Sequence, residues 1–332
     1  MPDVHAGKVG PIGFTQTIED TVLPSVVGID VGCGMTIAEI KGNIKDFQKM
    51  DSVIREKIPS GFRLREKPHH YADAFHFDSL HCARHIHLDK AMLSLGTLGG
   101  GNHFIESDIG SDGKQYLVIH SGSRHLGKEV TDHYLSAGQK QLNAQGIHPP
   151  YELTTLTGDL LQEYLDDIRV LQDYASLNRE IMIAEICKGM KWKVLDQYTC
   201  IHNYIEPASE SYCGKPVLRK GAISAKKGEK LIIPINMRDG IILAAGLGNE
   251  DWNMSAPHGS GRILKREDVA SHYTVSDFKK EMKGIYSPSI CKNTLDEAPF
   301  AYRAVEEIAD AISETAIIND IIRPVYNYKS MQ

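Results

Sequence analysis

A glycine-rich turn near the N-terminus brings a carboxylate and a thiol within three residues of each other. Asp30 and Cys33 lie in the segment Gly28–Met35, where glycines leave both side chains little steric cover. The apolar residues at positions 26–29 predict a buried strand that leads into this turn. A thiolate and a carboxylate together suit zinc, manganese or cobalt better than calcium. For this pair alone, a buried structural cysteine and a turn-capping aspartate are the simpler explanation.

Three histidines occur in a similar local context. His103 follows a glycine run, His120 follows the apolar run Gln115–Ile119, and His202 follows Cys200 and Ile201. Each ligand-type residue is predicted to end or follow an apolar strand and to adjoin glycine or small polar residues. Five such residues with one local design are difficult to explain by core packing, so we expect one or two metal ions. The predicted ligands are Asp30, Cys33, His103, His120 and His202.

A second group of features indicates an anionic substrate. The segment Leu218–Lys230 holds five cationic residues and one anionic residue, interleaved with glycines, which favours a phosphate-facing loop. His258 lies in the turn Pro257–Arg262, beside a cation, and is a candidate metal ligand, general base or nucleophile. From residue types alone, the sequence indicates metal-assisted phosphoryl or nucleotidyl chemistry.

Composition limits the class of protein. The 332 residues are 42% hydrophobic and 24% charged, and no apolar run reaches the length of a membrane span. The six cysteines form no CxxC pair, which favours reduced thiols and a cytoplasmic location without membrane association. A net charge of −6 argues against a general nucleic-acid coat but allows a local basic groove. The 15 histidines are many for this length.

Periodicity predicts an α/β protein with mixed sheets and flanking helices, in one domain spanning residues 1–332. Short strands alternate with Gly/Pro turns up to residue 45. The segment 46–66 has a helical pattern that Pro59–Gly61 interrupts. A helical insertion is expected at about 127–195, a hairpin at Leu231–Pro234 and Ile241–Ala245, and an amphipathic helix near 300–315. The histidine-rich segment 67–90 is interpreted as an exposed or RNA-facing helical segment, with a metal site as the alternative.

At these motifs the chain resembles the RtcB family of GTP-dependent RNA ligases. The matching segments run in family order over nearly the whole chain and are Met1–Lys8, Gly28–Met35, Gly99–Glu106, His120–Arg124, His202–Tyr204, Arg219–Ala222, Gly246–Glu250, His258–Arg262 and Tyr326–Lys329. The resemblance implies the α/β fold of that family. Family members usually carry several dozen residues before the motif at residues 1–5, so a short, divergent paralogue without that segment is expected. The family's Gly-Ser-Met-Gly loop is replaced here by Ile235–Gly240, which leaves nucleotide selectivity open.

The resemblance also implies roles for individual residues. Cys33 would bridge two Mn²⁺ ions, and Asp30 and the three histidines would complete their coordination. His258 would attack the α-phosphorus of GTP, and Asp3 would take part in proton handling. Contacts to the nucleotide are expected from Asn102, Glu106, Asn236, Glu250, Gly259, Ser260, Gly261 and Lys329. Contacts to the RNA backbone are expected from Arg124, Arg219, Lys220 and Arg262.

The implied function is RNA ligation in RNA repair or tRNA splicing. An RNA 3′-phosphate, formed by opening a 2′,3′-cyclic phosphate, would accept GMP from His258, and an RNA 5′-hydroxyl would then displace the GMP. An archease-like activator is a candidate partner. The alternatives are a metal-dependent RNA end-processing phosphoesterase, a nucleotidyl-capping enzyme without ligation, and a non-catalytic RNA-binding protein. The presence of His258 and Lys329 favours ligation, because a plain hydrolase needs no nucleotidyl histidine.

Overall fold

A seven-stranded antiparallel sheet organises the computed structural model, which describes residues 1–7 and 9–331. Lys8, at the end of the N-terminal motif, lies outside the described residues. The strands are β1 (His5–Ala6), β2 (Pro11–Ile12), β3 (Phe14–Thr17), β4 (Gly34–Lys41), β5 (Phe104–Ile109), β6 (Gln115–Ser121), β7 (Lys193–Ile201), β8 (Asn203–Glu206), β9 (Val217–Lys220), β10 (Ala222–Ser224), β11 (Lys230–Asn236), β12 (Gly240–Gly246), β13 (Ser255–Pro257) and β14 (Ala316–Tyr328). The large sheet has the order β11-β12-β14-β5-β6-β4-β7.

Helices cover this sheet. The α-helices are α1 (Pro24–Val27), α2 (Phe47–Lys57), α3 (Leu88–Ser94), α4 (Arg124–Ala144), α5 (Gly158–Met190), α6 (Arg266–His272), α7 (Val275–Glu281) and α8 (Val305–Ala311). Short 3₁₀ helices occur at His70–Ala74, Phe77–Ser79, Ala83–His85, Tyr151–Leu153, Glu250–Trp252, Lys292–Glu297 and Pro299–Ala301. In the described part of the chain, none of the helices is long and apolar enough to cross a membrane.

Successive side chains along each strand point to opposite faces of the sheet, so the core is divided between the two faces. Ile105 and Ile119 pack with Ile183 of α5 on one face. Phe104 and Val118, one position away along the same strands, pack on the other face in a cluster that includes α8. This period of two is expected where both faces of a sheet are covered. The ends of the strands are therefore the positions at which polar side chains can meet without interrupting the core.

The strand register brings the predicted ligands to one end of the sheet. Gly34 pairs with Ser121 of β6 and with Ile201 of β7. Cys33, His120 and His202 each lie one position from this row. The smaller sheets, β3-β9-β8 and β10-β13, carry the chain onward to His258, which directly follows β13.

Most of the predicted elements are present. The helical pattern at 127–190 forms α4 and α5, the hairpin forms β11 and β12, and α8 lies within the segment 300–315. The helix predicted in the segment 46–66 spans Phe47–Lys57 and ends just before the predicted break at Pro59–Gly61. The histidine-rich segment forms short 3₁₀ helices and α3 rather than one continuous helix.

Two predictions about local structure were wrong. Residues before Asp30 form the short helix α1, because Pro24 favours a first helical turn and Gly28, with φ +81°, ends it. Ile29 is consequently 54% exposed rather than buried in a strand. The basic segment 218–230 is not a phosphate-facing loop, since most of it belongs to β9, β10 and the start of β11.

A buried arginine of α5 fastens the helix to the strand ends. The Arg179 Nη1 donates to the carbonyl oxygens of Gly32 at 2.9 Å and Ser121 at 2.8 Å, and its Nε donates to Thr36 Oγ1 at 2.9 Å. Arg179 is fully buried. Because one nitrogen bonds to Gly32 and to Ser121, the guanidinium holds the Cys33 turn against β6. These carbonyl groups are buried, so water could not replace the donor if it were lost.

We predict that Arg179→Ala lowers the free energy of unfolding by about 3 kcal/mol, because it strands several buried acceptors. Urea unfolding measures this change. The matched control is Arg169→Ala in the same helix, whose ion pair with Glu210 is more than half exposed and contributes less than about 1 kcal/mol. Equal losses in the two variants would contradict the structural role assigned to Arg179.

Candidate functional site

The backbone fixes two histidines so that their lone pairs face the same point. The Nδ1 of His103 donates to the Leu98 carbonyl oxygen at 2.8 Å, and the Nδ1 of His120 donates to the Asn102 carbonyl oxygen at 3.2 Å. A neutral imidazole that carries its proton on Nδ1 presents a bare lone pair at Nε2. Metal-binding histidines are oriented in the same way, by donating their other nitrogen to a carbonyl group.

A thiol and two further side chains complete this cluster. The Sγ of Cys33 lies 3.3 Å from His120 Nε2 and 3.5 Å from His103 Nε2. The Nε2 atoms of His120 and His202 are 3.3 Å apart, and His103 Nε2 lies 3.2 Å from Asp30 Oδ2. Two overlapping groups of potential metal-binding atoms therefore share Cys33. They are Cys33 with His120 and His202, and Cys33 with Asp30 and His103.

Burial and electrostatics favour the neutral form of two of the imidazoles, those of His120 and His202. Burial, reinforced by neighbouring imidazoles, lowers the pKa of His120 and His202 well below the usual value. Burial and the Asp30 carboxylate raise the pKa of the Cys33 thiol well above its usual value. The Nδ1 of His202 is buried without a partner among the described residues. Converging lone pairs around a thiol repel one another unless a cation lies between them, so this donor set fits a divalent metal ion.

The structure corrects one part of the pattern used to find these residues. His120 lies within β6 near its end and His202 directly follows β7, as predicted. Cys33 and His103 instead directly precede β4 and β5. Because neighbouring antiparallel strands run in opposite directions, the start of one strand and the end of the next lie at the same end of the sheet.

His258 stands beside this cluster and is oriented by a buried carboxylate. Its Nδ1 lies 2.6 Å from Oδ2 of Asp3, which is 0% exposed and also accepts from the His258 backbone N–H at 3.2 Å. The ring centroids of His258 and His202 are 5.0 Å apart. Donation from Nδ1 to Asp3 leaves Nε2 of His258 with its lone pair available, which is the protonation state that a nucleophile requires.

A pocket opens next to His258 and contains most of the residues predicted to contact a nucleotide. Those that line it are Asn102, Glu106, Asn236, Gly259, Ser260, Gly261 and Lys329. Ser260 is held by donation from its Oγ to the Ile235 carbonyl oxygen at 2.8 Å. Glu250 does not line the pocket and is exposed on the 3₁₀ helix Glu250–Trp252.

Glu297 organises the cationic wall of this pocket. Its Oε2 accepts from Lys329 Nζ at 2.9 Å, its Oε1 lies 3.5 Å from Arg262 Nη1, and Arg266 forms a third ion pair with it. The side chain of Glu297 is 4% exposed. Sequence analysis missed Glu297 and Arg266, because neither adjoins a glycine run or a strand end. The pairings are visible only in the folded chain.

Glu106 lines the pocket, and a second buried carboxyl group, that of Asp108, lies beside it. Burial raises the pKa of Glu106 to about 7, and Asn327 donates to its Oε2. Burial and the adjacent Glu106 also raise the pKa of Asp108 well above its usual range. The raised pKa favours the protonated form of Asp108, and a neutral Asp108 reduces the charge repulsion that Glu106 experiences.

The four cations predicted to contact RNA lie in different settings. Arg219 is 0% exposed, and its Nη1 donates to Glu206 Oε2 at 2.9 Å. The prediction for Arg219 is corrected on this basis, because a buried, paired guanidinium is not accessible to a polynucleotide backbone. Arg262 lines the pocket beside His258. Lys220 donates to the Val27 carbonyl oxygen at 2.8 Å, and Arg124 Nη1 lies 3.5 Å from His103 Nδ1, so both flank the cysteine-centred cluster.

Comparison with known proteins assigns the chain to a family. The sequence profile of the family described as tRNA-splicing ligase RtcB matches residues 1–87 and 73–330. The chain belongs to the RtcB family. Similar proteins include RNA-splicing ligase RtcB1 of Escherichia coli strain ATCC 25922, 27% identical over 368 residues, which cover 100% of this chain and 88% of that protein. RNA-splicing ligase RtcB of Escherichia coli K12 is 26% identical over 368 residues, with the same coverage. The tRNA-splicing ligase RtcB of Aeropyrum pernix is 25% identical over 406 residues, covering 96% and 84%.

We predict that Cys33→Ser takes up much less Mn²⁺ than the wild type, because the neutral hydroxyl of serine lacks the negative charge of a metal-bound thiolate. Elemental analysis after incubation with Mn²⁺ and gel filtration measures the metal per chain. Cys200→Ser is the matched control, since Cys200 is also buried but lies outside both groups of donors. Unchanged manganese in Cys33→Ser would contradict a cysteine-centred site.

Proposed function

We propose that this protein is an RNA ligase that joins RNA 3′-phosphate or 2′,3′-cyclic phosphate ends to 5′-hydroxyl ends, using GTP and manganese. The observation that carries the proposal is the position of His258. This histidine contacts the donor cluster on one side, lines the nucleotide pocket on the other, and is fixed in the nucleophilic tautomer by Asp3. The names of the RtcB-family relatives, RNA-splicing and tRNA-splicing ligases, support an RNA substrate.

The metal ions would be held by Cys33, Asp30, His103, His120 and His202. When bound at these residues, manganese would neutralise negative charge on the triphosphate and on the attacked phosphate. The chain itself supplies the neutral imidazoles and the buried surroundings that exclude water. The two overlapping donor groups support two ions with Cys33 in common.

The chemistry of the chain centres on one nitrogen atom. Nε2 of His258 attacks the α-phosphorus of GTP, forming a P–N bond while the bond to the pyrophosphate oxygen breaks. Asp3 keeps the Nδ1 proton in place and stabilises the positive charge that the ring acquires. An oxygen of the RNA 3′-phosphate then attacks the same phosphorus and releases His258. Finally the RNA 5′-hydroxyl attacks the activated 3′-phosphate, and GMP leaves.

The pocket residues would recognise GTP through complementary charge. Lys329 and Arg262 are held by Glu297 rather than free to rotate, so their orientation is set before the nucleotide binds. The ionised Glu106 would accept hydrogen bonds from N1–H and the exocyclic amine of guanine, a pair of donors that adenine lacks. Asn236 would contribute a further polar contact from the loop Ile235–Gly240.

The setting of the reaction follows from the same proposal. The RNA would approach the cluster past Arg124 and Lys220, and an archease-like protein is the candidate activator. All six cysteines are free, which supports a reducing compartment such as the cytoplasm.

We predict that the protein incubated with Mn²⁺ and GTP labelled at the α-phosphate becomes labelled, and that His258→Ala does not. The label should be acid-labile, as a phosphoramidate is. Asp3→Asn should slow labelling roughly hundredfold or more, because the amide does not hold the imidazole in the same tautomer.

His148→Ala serves as the control for loss of a histidine, since His148 is exposed and remote from the pocket lining. Absence of label from folded, manganese-loaded protein would refute nucleotidyl transfer. In that case an RNA end-processing phosphoesterase becomes the leading assignment, and release of phosphate from RNA ends would identify it.

We predict that GTP binds about tenfold more weakly at pH 6 than at pH 8. With a pKa of about 7, Glu106 is mostly neutral at pH 6 and mostly ionised at pH 8, and only the ionised carboxylate accepts both donors of guanine. Isothermal titration of wild type and Glu106→Gln over this range measures the effect. At each pH, the dissociation constant of the wild type is divided by that of Glu106→Gln. This ratio removes the effect of protonation of the triphosphate, which is the same for both proteins. A ratio that does not change with pH would show that Glu106 does not bind the base.

A further inference from the structure

The turn after α2 exposes a large aromatic side chain. Phe62 is 93% exposed, more than any other large apolar side chain in the described chain. Gly61, with φ +66°, forms the turn, and the Arg63 N–H donates to the Ser60 carbonyl oxygen at 3.3 Å. Scattered surface apolar residues are normal, but a nearly bare phenyl ring loses its whole burial energy. A ring in this position is available to a partner.

One arginine connects this turn to a histidine of the cysteine-centred cluster. The Gly61 N–H donates to the Gly99 carbonyl oxygen at 2.8 Å, and Ser60 Oγ lies 3.2 Å from Tyr328 Oη. The Nη2 of Arg124 donates to the Gly61 carbonyl oxygen at 3.4 Å, and the Nη1 of the same guanidinium lies 3.5 Å from His103 Nδ1. A single arginine therefore connects the residue before Phe62 to a predicted metal ligand.

The charges around the ring suit a polyanion. Arg63 is exposed and forms no ion pair among residues 1–7 and 9–331. Arg65 is held by the carbonyl oxygens of Lys57, Leu95 and Gly96, which stabilises the turn from behind. Glu66 is the nearest acidic residue along the chain. An exposed aromatic face next to an unpaired guanidinium is the combination that binds single-stranded nucleic acid, because bases stack on the ring and phosphates pair with the cation.

We propose that Phe62 stacks on an unpaired base of the RNA close to the end that is joined, and that Arg63 contacts the adjoining phosphate. The inference rests on the proposed ligase function and specifies an RNA subsite within it. Stacking on a phenyl ring tolerates any base, so the subsite would hold RNA ends of varied sequence near the cluster. It would act on RNA alone and leave the reaction of GTP with His258 unchanged.

The test compares two reactions in the same variants. Phe62→Ala should raise the KM for single-stranded RNA ends roughly tenfold, within a range of about five- to hundredfold for one stacked base. Phe62→Tyr should retain the wild-type KM, while Phe62→Leu, which is apolar but has no aromatic face, should resemble Phe62→Ala. Labelling of His258 by GTP should be the same in all of them. Tyr151→Ala is the control for loss of an exposed aromatic residue between α4 and α5.

A second measurement does not depend on ligation. In Phe62→Trp, a single-stranded oligoribonucleotide should quench the fluorescence of the added indole, beyond any quenching of the tryptophans already present in the wild type. This quenching should be weaker in the double variant that also carries Arg63→Ala. An unchanged KM in Phe62→Ala, or an indole that RNA does not quench, would overturn the stacking proposal. If GTP did not label His258 of the wild-type protein, the proposed function itself would be refuted. These two failures are therefore distinguishable.

Discussion

The structure depends on the convergence of unprotonated nitrogen atoms on one buried thiol. Two backbone carbonyl groups hold the Nδ1 protons of His103 and His120, so both Nε2 atoms face Cys33 within 3.5 Å. Such an arrangement is unfavourable in an empty protein interior and favourable around a cation. The strand ends, the long helix α5 and the guanidinium of Arg179 are all needed to maintain it, which explains why a charged side chain is buried so deeply.

A second constraint joins this cluster to the nucleotide pocket. Asp3 and His258 are 255 residues apart in sequence and meet in a hydrogen bond of 2.6 Å. The carboxylate selects the tautomer of the imidazole, and the position after β13 places the ring between His202 and the pocket. Separate parts of the chain thus supply the proposed nucleophile His258, the carboxylate that orients it and the surrounding donor atoms.

Local signals in the sequence were sufficient to find the donors but not their full context. Residue type and adjacent glycines identify Cys33 and His103 as candidate ligands. Each of them directly precedes a strand rather than following one. The helix before Asp30 was mistaken for a strand because Val26 and Val27 favour strands, while Pro24 and Gly28 decided the conformation. Arg219 has the same local pattern as an RNA-binding cation, yet it pairs with Glu206 in the interior. Glu297 carries no local signal, since its importance comes from cations that are distant in sequence.

Anomalous X-ray scattering at the manganese absorption edge, from crystals grown with Mn²⁺ and GTP, tests the central claim most directly. We expect two anomalous peaks within bonding distance of Cys33 Sγ, with continuous electron density between His258 Nε2 and a guanylyl phosphorus. Peaks elsewhere, or an occupied metal site with His258 turned away from the nucleotide, would contradict it.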